Sequence, residues 1–163
     1  MTTMTHVVGI DPGLVHTGVV SLLFRPESRS ITRGFYVVDG PDAGEVKGWV
    51  DMVHPGVPKS VFIEKYVPRQ RLNTDERMVK AEAAFRLALP NAVLVRNTGA
   101  KKIVSPQVMD MLNIWSFGVS THHQDLRSAA RILLYGMMKD QRLNELLADT
   151  VRDWLDGRPW TVV

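Results

Sequence analysis

The sequence predicts an α/β fold on a mixed sheet flanked by helices: three antiparallel strands, then strands alternating with helices. Three observations carry this. Segments rich in Val, Ile and Leu at residues 5–10, 17–24 and 30–38 follow one another at turn or hairpin distance, as in an antiparallel meander. Two short apolar runs, residues 61–63 and 92–95, read as buried strands and alternate with segments of helical periodicity. Two amphipathic stretches close the chain, and that order suits one sheet covered by helices in a single domain spanning residues 1–163.

Each element has a local reason. Asp11-Pro12-Gly13 separates the first two strands, and the polar residues 25–29 separate the second and third. After the turn-rich residues 39–44, residues 45–53 form a short helix ended by the Gly and Pro of residues 54–58. Val61-Phe62-Ile63 carries Glu64 at its carboxyl end. From 73 to 89 the chain is helical, with Met78, Ala81, Phe85 and Ala88 on one face and Pro90 as the stop. Residues 101–114 read as a basic loop and a short helix starting near Ser105-Pro106, and 115–120 as a connection. Thr121 with Gln124 fits a capping box ahead of the stripe Leu126, Ala129, Ala130, Leu133, Leu134, Met137 and Met138. A last amphipathic helix within residues 140–158 carries Leu143, Leu146, Leu147, Val151 and Trp154 and stops at Gly157 and Pro159.

Composition narrows the function. The 163 residues contain no cysteine, which excludes a disulfide scaffold, a thiolate zinc site and a cysteine nucleophile. With 45% apolar and 23% charged residues the chain has the balance of a soluble globular domain. No apolar run reaches the ~20 residues of a membrane span, and the first residues lack the pattern of a signal peptide, so an intracellular protein is expected. The net charge of +3 permits nucleic acid as a partner without requiring it.

The candidate site is acidic. Asp11 stands where an apolar strand meets a Pro-Gly turn, a position that by itself suits an ordinary turn former. Glu64, beside Val-Phe-Ile, needs a compensating partner if it is buried. His122 and Asp125 are i, i+3 neighbours at the start of the capped helix and able to share one ligand, although a helix N-terminus also favours Asp for electrostatic reasons alone. At 100° per residue His122 and Asp125 fall on one flank near the core, while Ser128 turns further toward solvent. Clustered carboxylates repel unless their pKa values rise or a cation neutralises them. Hard oxygen donors favour Mg2+ or Mn2+, and two such ions activate water and stabilise a leaving oxygen in phosphodiester hydrolysis.

Val8-Gly9-Ile10-Asp11-Pro12-Gly13 with Thr17-Gly18, then Val61-Phe62-Ile63-Glu64, then His122-x-x-Asp125 ahead of Ser128-Ala129-Ala130, resembles the RuvC family of Holliday junction resolvases, above all its short bacteriophage versions. The resemblance covers the chain from about residue 6 to residue 138. It implies a ribonuclease H-like fold with a mixed five-stranded sheet, Asp11 on its first strand and Glu64 on its fourth. It also implies a homodimer, paired chiefly around the helix at residues 73–89, that cuts two strands of a four-way junction with two Mg2+ or Mn2+ ions per site. The cuts leave 5'-phosphate and 3'-hydroxyl ends. Asp11, Glu64 and Asp125 would be metal ligands, with His122 a ligand or a proton-transfer group. The family's last motif has two acidic residues, or a His and an Asp, three apart; His122 and Asp125 fill it, unless the small residues set the register and Ser128 stands at the second position.

DNA contacts are expected from Lys65, Arg69 and Arg71 after Glu64, from Lys101 and Lys102, and from Arg127 and Arg131 on the last-motif helix. Tyr66 is a candidate to stack on an unpaired base, with Trp115 and Phe117 as alternatives whose other role is core anchoring. Residues 140–156 carry five acidic residues against Arg142 and Arg152, a poor DNA face whose apolar stripe suits packing on the domain or a partner subunit. The expected function is therefore a structure-selective endonuclease on branched DNA, without nucleotide cofactor or membrane, in the cytoplasm of a bacterial host if phage-encoded. Two rivals share features: a phosphotransfer protein of the actin and sugar-kinase type, which needs a duplicated fold that this length does not hold, and a junction-binding module without catalysis, which has no use for three acidic positions.

Overall fold

The computed structural model describes residues 3–68, 75–118 and 121–163. In chain order the elements are β1 (Thr5–Asp11), β2 (His16–Arg25), β3 (Ser30–Asp39), α1 (Ala43–Met52), β4 (Lys59–Glu64), α2 (Glu76–Ala88), β5 (Val93–Val95), α3 (Ala100–Ile103), α4 (Pro106–Met111), α5 (His123–Lys139), α6 (Gln141–Leu155) and β6 (Thr161–Val162). They form one mixed sheet in the order β5-β4-β1-β2-β3-β6. The β1–β2 and β2–β3 pairs are antiparallel, and β1–β4, β4–β5 and β3–β6 are parallel. Where five strands are expected the sheet has six, the last a two-residue strand on the free edge of β3.

Burial on both faces explains the apolar strands at the centre. Alternate residues of β1 enter two cores: Val7 packs with the α5 and α6 side chains, Val8 and Ile10 with Val46 and Val50 of α1 and Phe85 of α2. Side-chain caps start α1 and α2, where Asp42 Oδ1 accepts from the Glu45 N–H and Asp75 Oδ1 from the Arg77 N–H, each at 3.0 Å. The capping box expected at Thr121 does not form. The N-cap of α5 is His122, without a side-chain cap bond. Tertiary contacts hold the helix entry instead, because the Phe117 N–H donates to His123 Nδ1 at 3.4 Å and Arg127 Nε donates to the Trp115 carbonyl at 2.6 Å.

The α5 stripe is buried as its period requires, with Met138 half-buried at its end, and α6 lays Leu143 and Leu147 against it. Trp154, expected in the α6 stripe, is 45% exposed. Trp160 takes the place near the core: its ring meets Phe24 edge-on at 6.2 Å and its Nε1–H donates to Asp153 at 3.0 Å, which seats β6 beside β3. Among the described residues no helix is long and apolar enough to cross a membrane.

His6 makes the sheet sensitive to acid. It is 1% exposed on β1, neither ring nitrogen has a hydrogen-bond partner among the described residues, and its ring meets His54 at 5.3 Å. Burial, then the Lys59 and His54 charges, lower its pKa to about 4 from the ordinary histidine value of 6.5. The native state thus binds this proton more weakly than the unfolded chain does, so the stability present above pH 6.5 is lost as pH falls toward 4. The cost reaches about 1–2 kcal/mol by pH 5. His6→Leu is expected to flatten that slope, raising the urea midpoint more at pH 5 than at pH 7.5. An equal change at both values would show that His6 does not carry the acid sensitivity.

Candidate active site

The parallel pairing of β1 and β4 puts Ile10 beside Ile63, so the next residues, Asp11 and Glu64, end neighbouring strands on the same edge. Their carboxyls are in hydrogen-bond contact, Asp125 acts on Asp11 through space, and the Ser128 hydroxyl donates to Asp11. Burial first, then Glu64 and Asp125, push the Asp11 carboxyl up to about 9, against the opposing Ser128 bond. Magnitudes explain the direction. Two carboxylates at about 4 Å repel by about 4 kcal/mol at an effective dielectric of about 20, whereas a hydrogen bond to a charged group returns only about 1.5–3 kcal/mol.

The neighbouring motif residues build this edge rather than decorate it. Thr17, fully buried, accepts the Gly13 N–H at 3.3 Å and donates to the Gly40 carbonyl at 2.8 Å, tying the Asp11-Pro12-Gly13 turn to the end of β3. Gly18 pairs with Asp11 across β1–β2 and lies under the first turn of α5, where a Cβ would stand 2.4 Å from the Asp125 carbonyl oxygen. Gly9 does the same further along, with a Cβ position 2.3 Å from the Ala129 carbonyl oxygen. The small residues Ser128-Ala129-Ala130 and these glycines therefore let α5 cross the sheet closely enough to bring Asp125 over Asp11.

His122 joins the group from the helix N-terminus, its Nδ1 3.6 Å from Asp125 Oδ2, with both side chains about one-third exposed (35% and 33%). Ser128 corrects the helical-wheel expectation. It does not turn to solvent but is half-buried and bonded to Asp11, because α5 lies close on β1 and β2 over Gly9 and Gly18. Among the described residues no three His, Asp or Glu side chains are drawn together as a closed metal cluster. The donor chemistry nevertheless fits a hard divalent cation: an Asp and a Glu are in contact with a second Asp in reach, and the crowding that raises the Asp11 pKa is what a bound cation would relieve.

The basic candidates divide. Lys65, Lys101 and Lys102 line an open groove of about 370 Å3 together with Glu64, Asn97 and Gly99. Arg127 is engaged, its guanidinium 4.1 Å from the Trp115 ring, with Arg131 at 5.9 Å from the same ring. Tyr66 is half-buried and its hydroxyl accepts the Asp75 N–H at 3.1 Å, at the start of α2. Phe117 is buried and Trp115 half-buried against the core, the anchoring role. Arg69 and Arg71 lie outside the described residues. Ser128, the alternative second position of the last motif, contacts Asp11, and one contact at the site had no signal in the sequence: His16, whose ring centroid lies 4.3 Å from that of His122.

A mixed sheet with an antiparallel β1–β3 meander, parallel β4 and β5, and a helix crossing over acidic strand ends defines the ribonuclease H-like class. Within that class the fold is the one seen in RuvC. The chain is similar to Thermus thermophilus RuvC, with a TM-score of 0.55 and 17% identity over 83% of this chain and 97% of that one. T. thermophilus RuvC in complex with a Holliday junction substrate gives 0.56 and 15%, over 83% and 96%. Fowlpox virus resolvase, solved with substrate Holliday junction DNA, gives 0.54 and 13%, over 88% and 99%. At the level of sequence no family model and no curated protein matches the chain.

Proposed function

We propose that this protein is a divalent-metal-dependent endonuclease that cuts branched DNA, four-way junctions above all, by two-metal phosphodiester hydrolysis. One observation carries the reading: Asp11 and Glu64, 53 positions apart in the chain, meet at adjacent strand ends with Asp125 of α5 in electrostatic reach. Carboxyls crowded this closely repel one another at a cost in stability, and ligation of hard cations gives the arrangement a use. Asp11, Glu64, Asp125 and His122 would hold Mg2+ or Mn2+. When bound, the ions supply Lewis-acid activation of water and charge stabilisation at the leaving oxygen. The T. thermophilus and fowlpox proteins of the same fold were solved with Holliday junction DNA, which supports a junction as substrate.

The rest of the surface suits that reading. Lys65, Lys101 and Lys102 offer the groove beside Glu64 to a phosphate backbone, while Arg127 and Arg131 order the loop before α5. A homodimer would present two such sites to a junction of two-fold symmetry. The exposed Leu87 and Val79 of α2 place apolar surface where the resemblance puts the subunit contact.

The test is cleavage of a synthetic four-way junction in Mg2+ or Mn2+, with paired symmetric nicks expected. ATP turnover without cleavage would favour the kinase-like rival, and binding without cuts in any divalent ion would favour a binding module. Within the site, Asp125→Asn is expected to lower cleavage by more than about a hundredfold, as for loss of a first ligand. Ser128→Ala is expected to stay within about tenfold, because it removes a single hydrogen bond to Asp11, whose net worth is about 0.5–1.5 kcal/mol. The reverse ranking would place the second ligand at Ser128 and overturn the His122–Asp125 pairing.

A further inference from the structure

His16, the first residue of β2, lies outside the four proposed ligands yet adjoins them. Its ring centroid is 4.3 Å from that of His122 at an interplanar angle of 56°. Its Nδ1 is 3.3 Å from Asp39 Oδ1, the residue opposite it on β3. The backbone fixes this placement. His16 is paired with Asp39 at the start of the β2–β3 ladder, and Thr17 next to it is anchored to Gly13 and Gly40. His122, by contrast, is the N-cap of α5, makes no side-chain cap bond there, and has its Nδ1 3.6 Å from Asp125 Oδ2. A ring on a rigid strand thus meets a ring on a helix terminus.

We infer that His16 is a positioning residue for His122: its ring holds the His122 imidazole in the orientation that reaches the Asp11–Glu64–Asp125 group. Aromatic rings prefer tilted and offset contacts of this kind over a face-to-face sandwich. The Asp39 contact adds little, since the Asp39 side chain is 99% exposed. The ring of His16 matters, therefore, and not its charge. Loss of it frees rotamers of His122 without touching the carboxylates, so binding of junction DNA in the absence of metal is unchanged while cleavage and the response to Mn2+ suffer. The inference rests on the proposed role of His122 in cleavage.

The experiment compares His122→Ala, His16→Ala, His16→Gln and His16→Phe on a four-way junction across a Mn2+ titration, with thermal unfolding of each. His122→Ala is expected to lose cleavage. Both His16→Ala and His16→Gln should lower kcat by about tenfold and raise the half-saturating Mn2+ concentration, as loss of an orienting partner does. Their KM for the junction should stay within twofold, and His16→Phe, which keeps a ring, should recover most of the rate. Wild-type cleavage by His122→Ala would remove the proposed role of His122 and the inference with it. Loss in His122→Ala with wild-type behaviour in His16→Ala and His16→Gln would overturn this inference alone, as would a His16→Phe protein as defective as His16→Ala at equal thermal stability.

Discussion

Asp11→Asn is expected to lower junction cleavage by roughly a thousandfold or more, the scale set by losing a metal-held contribution of several kcal/mol. The same change is expected to stabilise the metal-free protein at alkaline pH. The sign follows from the carboxyl, which is pushed up to about 9 by burial, Glu64 and Asp125, from the ordinary aspartate value of 3.8. Between those values the native protein holds a proton that the unfolded chain has released. Stability therefore falls as pH rises from about 4 toward 9. Asparagine keeps the shape and cannot ionise, so that slope disappears.

A divalent cation reverses the slope in the wild-type protein, because binding displaces the proton. The rise in melting temperature on adding Mn2+ should grow from pH 6 to pH 8.5 in the wild type and be small in Asp11→Asn. Cleavage by Asp11→Asn near the wild-type rate would sink the assignment. So would a Mn2+ stabilisation of the variant that matches the wild type in size and pH dependence.

Gly18→Val is the second large effect, and it concerns a residue that performs no chemistry. By strand propensity alone valine suits the middle of β2 better than glycine. The fold decides otherwise, since a Cβ here lies 2.4 Å from the Asp125 carbonyl oxygen, 2.7 Å from its carbonyl carbon and 3.2 Å from the Leu126 nitrogen. All three are backbone atoms and none can swing aside, so the N-terminal turn of α5 must lift from the sheet. A displacement of about 1 Å costs about a hundredfold in rate, and the overpacking costs about 1–3 kcal/mol of stability.

Gly18→Ala carries the same clash in smaller measure. The comparison is Gly48→Ala in α1, where nothing lies within 4 Å of the added Cβ; it should gain about 0.5–1 kcal/mol from helix propensity and cleave normally. A Gly18→Val protein that melts lower but cleaves at the wild-type rate would show that α5 does not need this approach to place Asp125.

Chain-local physics was readable wherever one face or one turn decides. The apolar runs of β1 and β4, buried on both faces, state their element type without their neighbours, as does the α5 stripe from Leu126 to Met137. Asp11 and Glu64 were legible as candidates because a carboxylate directly after a buried strand is conspicuous. Elements settled by partners were not legible. The α5 start depends on His123 and Arg127 meeting the loop at Trp115–Phe117, so the capping box in the sequence competes with contacts it does not encode. β6 is two residues long and exists because Trp160 finds Phe24 and Asp153.

The sequence by itself determined the kind of fold, the order of its elements and the acidic, cysteine-free chemistry of the candidate site. Tertiary structure alone decided that Ser128 turns to Asp11 rather than to solvent, that His16 lies against His122, and that Arg127 is taken up by Trp115. The reason is one of range. Strand and helix periods are set by neighbours a few residues away, whereas the closeness with which α5 packs on β1 and β2 is set by the absent side chains of Gly9 and Gly18, more than a hundred residues earlier in the chain.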